Sequence, residues 1–298
     1  MTMKTLSRQR TFTHFSHKNK PAYTIELGER SLFETHDCYG GRITEETILR
    51  TDLDLTGKIN LATGPIYING VQPGDVLCIE VGKIELNEFG VMVMMPGLGP
   101  LGDQIENTTT KVLPIKENVI HFTDTIHIPV QPMIGVIGVA PAEGSVQNET
   151  PGDHGGNLDT KEITTGNKVY LPVHHNGGLL GLGDMHAAMG DGELDGTGVE
   201  VAGAVHLTVT KAANWDIESP VVETNESYLI LCSGTKYDET IKRALNMSVQ
   251  HIQRRLAVGF DDAYRLLSAT CDLKISQIVN PLITVKISIP KTLIPKLF

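Results

Sequence analysis

The sequence predicts a mainly β protein: a β-sandwich-like body with a smaller C-terminal α+β portion. Three observations carry that expectation. From about residue 20 to 230, short apolar runs are punctuated by glycine and proline, the pattern of strands joined by turns. In GVEVAGAVHLTVTK, Val199, Val201, Val205, Leu207 and Val209 all fall on odd positions, so one face of an extended chain is apolar. After Cys232 the period lengthens, and Ile241, Ala244, Leu245, Val249, Ile252 and Leu256 form the stripe of an amphipathic helix.

Taken in order, strands are expected at 76–86, 91–94, 133–139, 169–173 and 228–231, with NGVQPGD at 69–75 a Pro-Gly turn. The odd-face strand at 198–211 leaves Glu200, Ala202, Ala204, His206 and Thr208 on its other side. A carboxylate inside such a strand is either exposed on an edge or held in a polar pocket, and the sequence leaves both open. A helix is expected over 238–256 with Asp238 as its cap, then a shorter one over 261–269 and a closing strand in which Ile283, Val285, Ile287 and Ile289 alternate. No linker separates these parts, so residues 1–298 read as a single domain: a β-rich body at 1–232 and a helix-helix-strand portion at 233–298.

The 298 residues suffice to bury a substantial core. Twenty-five Lys and Arg against 35 Asp and Glu give a net charge of −10, which repels phosphate backbones and argues against nucleic acid as a partner. Aromatic residues are only 5%, which disfavours stacking on bases or sugars and leaves a small, non-aromatic ligand as the expectation. Cys38, Cys78, Cys232 and Cys271 lack CxxC spacing and read as reduced thiols of a cytoplasmic protein. Cys38 is the exception, since it follows His36 and Asp37 and can line a site. The basic N-terminus has no apolar h-region, and no run approaches a membrane span, so no membrane association is expected.

Three glycine-rich loops collect groups able to hold a metal ion. GDMHAAMGDGELDG at 183–196 carries Asp184, His186, Asp191, Glu193 and Asp195; on an extended segment Asp184 and His186 share a face. PGDHGGNLD at 151–159 carries Asp153, His154, Asn157 and Asp159. ETHDCYGG at 34–41 carries His36 and Asp37. Aspartate beside glycine is ordinary turn chemistry, which is the plainer reading of Asp153, Asp191 and Asp195. His174 and His175 are adjacent in a strand-like run and face opposite ways. Nucleophile elbows, phosphate loops and HExxH are absent from the sequence.

GPIYINGVQPGDVL, PGDHGGNLDTKE, GGLLGLGDMHAAMGDGE and QIVNPL, in that order, resemble the acetamidase/formamidase family across nearly the whole chain. The resemblance implies hydrolysis of the C–N bond of short linear amides, formamide and acetamide, to a carboxylate and ammonia. It also implies a divalent metal, zinc or calcium, and a homo-oligomer. The family's blocks map onto Asp184 and His186, onto His154, Asn157 and Asp159, and onto Asp37, while Glu200 stands where the family has a glutamate. Met189 and the His174–His175 pair depart from its pattern.

The expected mechanism has Asp37, His154, Asp184 and His186 as metal ligands, with His36, Asp159 and Glu193 in support. Glu200 is the first candidate for general base and Glu143 the second, with Asn157 or the N–H groups of Gly155 and Gly156 at the oxyanion. Two other readings stand beside it: a hydrolase of another C–N bond, in a carbamate or a larger or cyclic amide, and a non-catalytic β protein whose acidic loops bind calcium.

Overall fold

Short strands rich in valine and isoleucine cannot each bury a face alone, and here they pair into two large sheets that pack face to face. The structure, a computed structural model, describes residues 3–213 and 215–297. Among these, one sheet has nine strands and the other eleven, with a two-stranded ribbon beside them. The nine-stranded sheet contains Arg30–Thr35, Gly203–Lys211, Val76–Leu86, Lys168–Pro172 and Ser227–Gly234. The eleven-stranded sheet is built around Gly178–His186, which pairs antiparallel with Met133–Gly138, Ala62–Ile68 and Glu200–Val201. Phe33, Ile66, Leu77, Ile79, Leu180, Leu182 and Leu207, drawn from both sheets, form one buried cluster. This is the expected sandwich.

The segment 198–211 is the first departure. Val199, Val201, Val205, Leu207 and Val209 are buried as the alternation predicts. The segment is two strands, however: Glu200–Val201 belongs to the eleven-stranded sheet and Gly203–Lys211 to the nine-stranded one. A chain that changes sheets takes its polar face into the interior, which is why Glu200 is only 2% exposed although Ala204 and His206, on the strand that follows, are half-buried.

Two helices follow, α1 (Tyr237–Leu256) and α2 (Phe260–Thr270), close to the expected ranges. The N-cap of α1 is Lys236, with no side-chain cap bond, and Asp238 lies in the first turn, where its charge suits the helix dipole. Ala244, Val249, Ile252, Ala263 and Leu267 pack with Ile230, Val285 and Ile287 in a second core. The C-terminal portion has one strand more than expected. Asp272–Gln277 and Ile283–Pro290 both extend the nine-stranded sheet, so this portion continues the body. No helix among the described residues is long and apolar enough to cross a membrane.

One fully buried cation ties the C-terminal portion to the 183–196 segment. Lys286 is 0% exposed, and its Nζ lies 2.6 Å from Glu162 Oε2 and 2.6 Å from Asp191 Oδ1. Asp191 is thus a structural residue, as its turn context suggests. Losing one member of such a pair strands the others. Lys286→Met is expected to lower the unfolding free energy by about 2 kcal/mol or more, less than the ~3–5 kcal/mol of a wholly buried pair because both carboxylates keep some water. Denaturant titration checks this, and an unchanged midpoint and slope would contradict it.

Candidate active site

The chemistry gathers where Gly178–His186 ends. Asp184 has a φ of +56°, a left-handed turn within the strand. The two side chains therefore meet through a local kink rather than by plain alternation, with Asp184 Oδ1 at 3.7 Å from His186 Nε2. Glu200 stands directly across the ladder from His186, and its Oε1 lies 3.2 Å from Nε2. Asp159 brings Oδ1 to 3.9 Å from the same nitrogen. Glu193 completes the group: ligand atoms of Asp159, His186 and Glu193 all lie within 4.8 Å of one another, and so do those of Cys38, Asp184 and Glu200.

Side chains of this size approach so closely only where the backbone makes room. A Cβ on Gly135 would stand 2.5 Å from Asp159 Oδ1 and 2.9 Å from Asp184 Oδ2; one on Gly198 would stand 2.4 Å from His186 Nδ1. Asparagine amides hold two of the carboxylates. Asn60 Nδ2 donates to Asp184 Oδ2 at 3.2 Å, and Asn280 Nδ2 donates to Asp159 Oδ2 at 2.7 Å and to the Asn157 carbonyl at 3.1 Å. Gln277 orients the Asn280 turn by accepting N–H bonds from Val279 and Asn280, each at 3.0 Å. Asn60, Asp159, Asp184 and Glu193 all have positive φ, a strain that clusters where structure over-determines geometry.

The electrostatics follow from four carboxylates around one imidazole in a dry place. Burial opposes a charge on His186, but Glu200 and Asp184 outweigh it and hold the imidazole well above its usual value. Burial and the Asp184 charge push Asp159 up to about 6. Burial raises Glu200 to about 7, with His186 opposing and Asp184 adding to the rise. Burial and Asp159 push Glu193 well above the carboxylate range. Among the described residues, Asp159 Oδ1, Asp184 Oδ1, Glu193 Oε2 and Glu200 Oε2 have no hydrogen-bond partner. Buried anionic oxygens in this number call for a cation or for protons.

The cluster lines a cavity of about 220 Å³ whose wall includes Cys38, Asn60, Asn157, Asp184, Glu200 and Asn280. A larger, more apolar hollow of about 620 Å³ lies against the other side of the 188–199 segment, bounded by Met92, Phe122, Ile128, Met189 and Leu194. Glu193 and Thr197 line both. The smaller space is lined by Asp184, Glu193 and Glu200 of the cluster and is the candidate site, although it is the lesser in volume.

Of the expected residues, Asp184, His186, Glu200, Asn157, Asp159 and Glu193 come together, the last two as full members of the cluster. Four do not. Asp37 is buried, but its Oδ1 accepts the N–H groups of Tyr39 at 2.9 Å and Gly41 at 3.0 Å, so it shapes its own loop and presents Cys38 instead. His36 is half-buried in that loop, its pKa lowered by burial and then by Arg8. His154 packs edge-on against Phe15, and burial together with nearby His174 lowers it to about 4. Glu143 is exposed on the connection between Met133–Gly138 and Ser145–Gln147, outside both converged groups. The Gly155 N–H is engaged by the Gly152 carbonyl at 3.1 Å. Asn60 and Asn280 escaped sequence reasoning. Asn280 lies within the QIVNPL block, whereas Asn60 carries no local signal.

A sequence model described as the Acetamidase/Formamidase family matches residues 3–150 and 142–295 of this chain. A crystal structure of an acetamidase from Bacillus halodurans superposes with a TM-score of 0.96 at 41% identity, covering 98% of this chain and 99% of that one. An acetamidase of Mycolicibacterium smegmatis is 31% identical, with 79% of this chain and 74% of that protein aligned. A formamidase of Methylophilus methylotrophus is 26% identical over 74% of this chain and 70% of its own. The chain spans less of a Schizosaccharomyces pombe relative, 60% of its length at 28% identity.

The raised pKa values carry a stability consequence whose sign is fixed. Asp159 at about 6 and Glu200 at about 7 keep protons that the unfolded chain has already released, so in the ion-free protein their contribution is full below about pH 4 and is lost as pH rises through 6 to 7. His186, raised well above its usual value, acts in the same sense at higher pH. In a chelating buffer the unfolding free energy is expected to be lower at pH 8 than at pH 5 by more than about 1.4 kcal/mol, the worth of one pKa unit. A profile that is flat or rises over that interval would contradict the arrangement.

Proposed function

The chain belongs to the acetamidase/formamidase family, and from that premise we propose that it is an amidohydrolase, cleaving the C–N bond of short linear amides such as formamide and acetamide to a carboxylate and ammonia. The observation that carries the reading is the cavity of about 220 Å³ lined by Asp184, Glu200 and Asn157, small and polar as a one- or two-carbon amide requires.

The cluster fits a divalent cation. Its donor atoms are converged, buried and unpartnered, and an ion would replace the protons that burial otherwise forces onto them. Asp159, Asp184, His186 and Glu193 are the residues that would hold it. When bound, such an ion supplies Lewis-acid polarisation of the amide carbonyl and acidifies water beside it.

The chain's own groups do the rest. Glu200 Oε1 accepts the Gly198 N–H at 3.0 Å and lies 3.2 Å from His186 Nε2, while Oε2 has no hydrogen-bond partner among the described residues. This carboxyl takes a proton from the attacking water and returns it to the nitrogen as the C–N bond breaks, so that ammonia leaves rather than amide ion. Asn157, held through its carbonyl by Asn280, offers its side-chain amide to the substrate's own amide group. The exposed Leu101 and Leu194, on loops that pack against each other at Gly99, are apolar surface for the homo-oligomer that the family resemblance implies.

A larger or cyclic amide is the second reading. It is favoured by the apolar hollow of about 620 Å³ that shares Glu193 and Thr197 with the site and has room for a bulky acyl group. Ammonia release from formamide, acetamide and longer amides separates the two readings by their order of kcat/KM. Release is expected to stop on chelation and to return with Zn²⁺ or Ca²⁺. The absence of release from every amide in both states would sink the enzymatic reading and favour the calcium-stabilised one. Glu200→Gln is expected to lower kcat by about 10²- to 10⁴-fold with little change in melting temperature. A variant retaining full turnover would remove Glu200 from the mechanism.

A further inference from the structure

The converged donors form two groups, and the two differ in kind. Asp159, His186 and Glu193 offer oxygen and nitrogen, whereas Cys38, Asp184 and Glu200 include a sulfur. Cys38 is 6% exposed, and its position is built rather than incidental. The Asp37 carboxylate clamps the turn on its C-terminal side, and the Cys38 carbonyl accepts the Asn60 N–H at 2.9 Å. Asn60 in turn donates from its side chain to Asp184, so one residue sets the thiol against the carboxylate it would share an ion with. Asp184 and Glu200 are buried, and Asp184 Oδ1 and Glu200 Oε2 are without a hydrogen-bond partner among the described residues. A thiol within reach of two buried carboxylates sits among polar atoms, and apolar packing around the sulfur would leave their oxygens unsatisfied.

We propose that Cys38 is a sulfur ligand of the bound cation, and that its sulfur, set beside Asp184, makes the site select a borderline-soft divalent ion such as Zn²⁺, Co²⁺ or Cd²⁺ over Ca²⁺ or Mg²⁺. The inference rests on the metal-dependent reading above and narrows it. Hard cations gain little from a thiolate, whereas zinc-like ions bind sulfur strongly, so a single sulfur among oxygens decides between the two classes. Binding exchanges the thiol proton for the ion: the S–H bond breaks, the sulfur–metal bond forms, and the proton goes to solvent. Cys78, Cys232 and Cys271 belong to neither converged group, so a sulfur signal can be assigned.

The test is spectroscopic and does not depend on turnover. Chelator-stripped full-length protein titrated with Co²⁺ is expected to develop a thiolate-to-cobalt charge-transfer band in the near ultraviolet, and Cys38→Ser to take up Co²⁺ without that band. Competition dialysis read by elemental analysis is expected to show wild type holding Cd²⁺ against excess Ca²⁺, with the preference reduced on the order of tenfold or more in Cys38→Ser and in Cys38→Asp. Matching melting temperatures and near-ultraviolet circular dichroism establish that the variants fold, and Cys38→Ala stands in if the serine variant does not. Cobalt uptake without the band in wild type, or an unchanged Cd²⁺ preference in the variants, overturns the role of Cys38 and leaves metal-dependent hydrolysis standing. Failure of the wild type to take up any of these ions overturns both. An acyl group found on Cys38 by mass spectrometry of protein quenched during turnover overturns the ligand role by making the thiol a nucleophile.

Discussion

The structure is organised around one electrostatic constraint: Asp159, Asp184, Glu193 and Glu200 are buried about the single imidazole of His186, with one positive charge available for up to four negative ones. Taking even one carboxylate out of water is costly unless it is paired. The surrounding architecture reads as the set of devices that make the arrangement tolerable. Asn60 and Asn280 donate to two of the carboxylates, Gly198 donates its N–H to a third, and glycines at 135 and 198 remove the side chains that would push the group apart. What those devices leave unsatisfied is oxygen, and unsatisfied buried oxygen is the property a cation site requires.

That arrangement depends on elements distant in sequence. His186 and Glu200 meet because their strands are registered opposite each other, and Glu200 is buried because its segment crosses from one sheet to the other two residues later. The C-terminal portion supplies more than a closing layer. Asn280 reaches into the cavity from the turn after Asp272–Gln277, Ser276 accepts the Gly192 N–H at 2.8 Å, and Lys286 holds Asp191. The 190–196 loop is thus fixed from the nine-stranded sheet while it bears Glu193 for the eleven-stranded one. Both sheets must be assembled before the site exists.

The same loop divides two environments. On one side lies the small polar cavity with the ionisable cluster; on the other lies a larger apolar hollow bounded by Met189 and Leu194. Met189, one of the positions at which the sequence reads as departing from the family's pattern, lines the apolar side.

By itself the sequence determined the sandwich, both helices to within about a residue or two of their ends, and the two loops that supply Asn157, Asp159, Asp184, His186 and Glu193. Periodicity and glycine-rich turns are local properties, and a local pattern is legible without neighbours. Tertiary structure alone decided which polar groups in those loops turn inward. Asp37 and Cys38 are adjacent, yet the aspartate closes its own turn and the thiol enters the cluster, because two backbone N–H groups capture the carboxylate. His154 and Asn157 share a loop, yet the histidine packs against Phe15 while the asparagine lines the cavity. Glu200 reads as exposed or pocketed from its own strand, and only its partner strand and the change of sheet resolve it. Side-chain direction in a loop is set by hydrogen bonds to residues far along the chain, and no spacing rule within the loop encodes them.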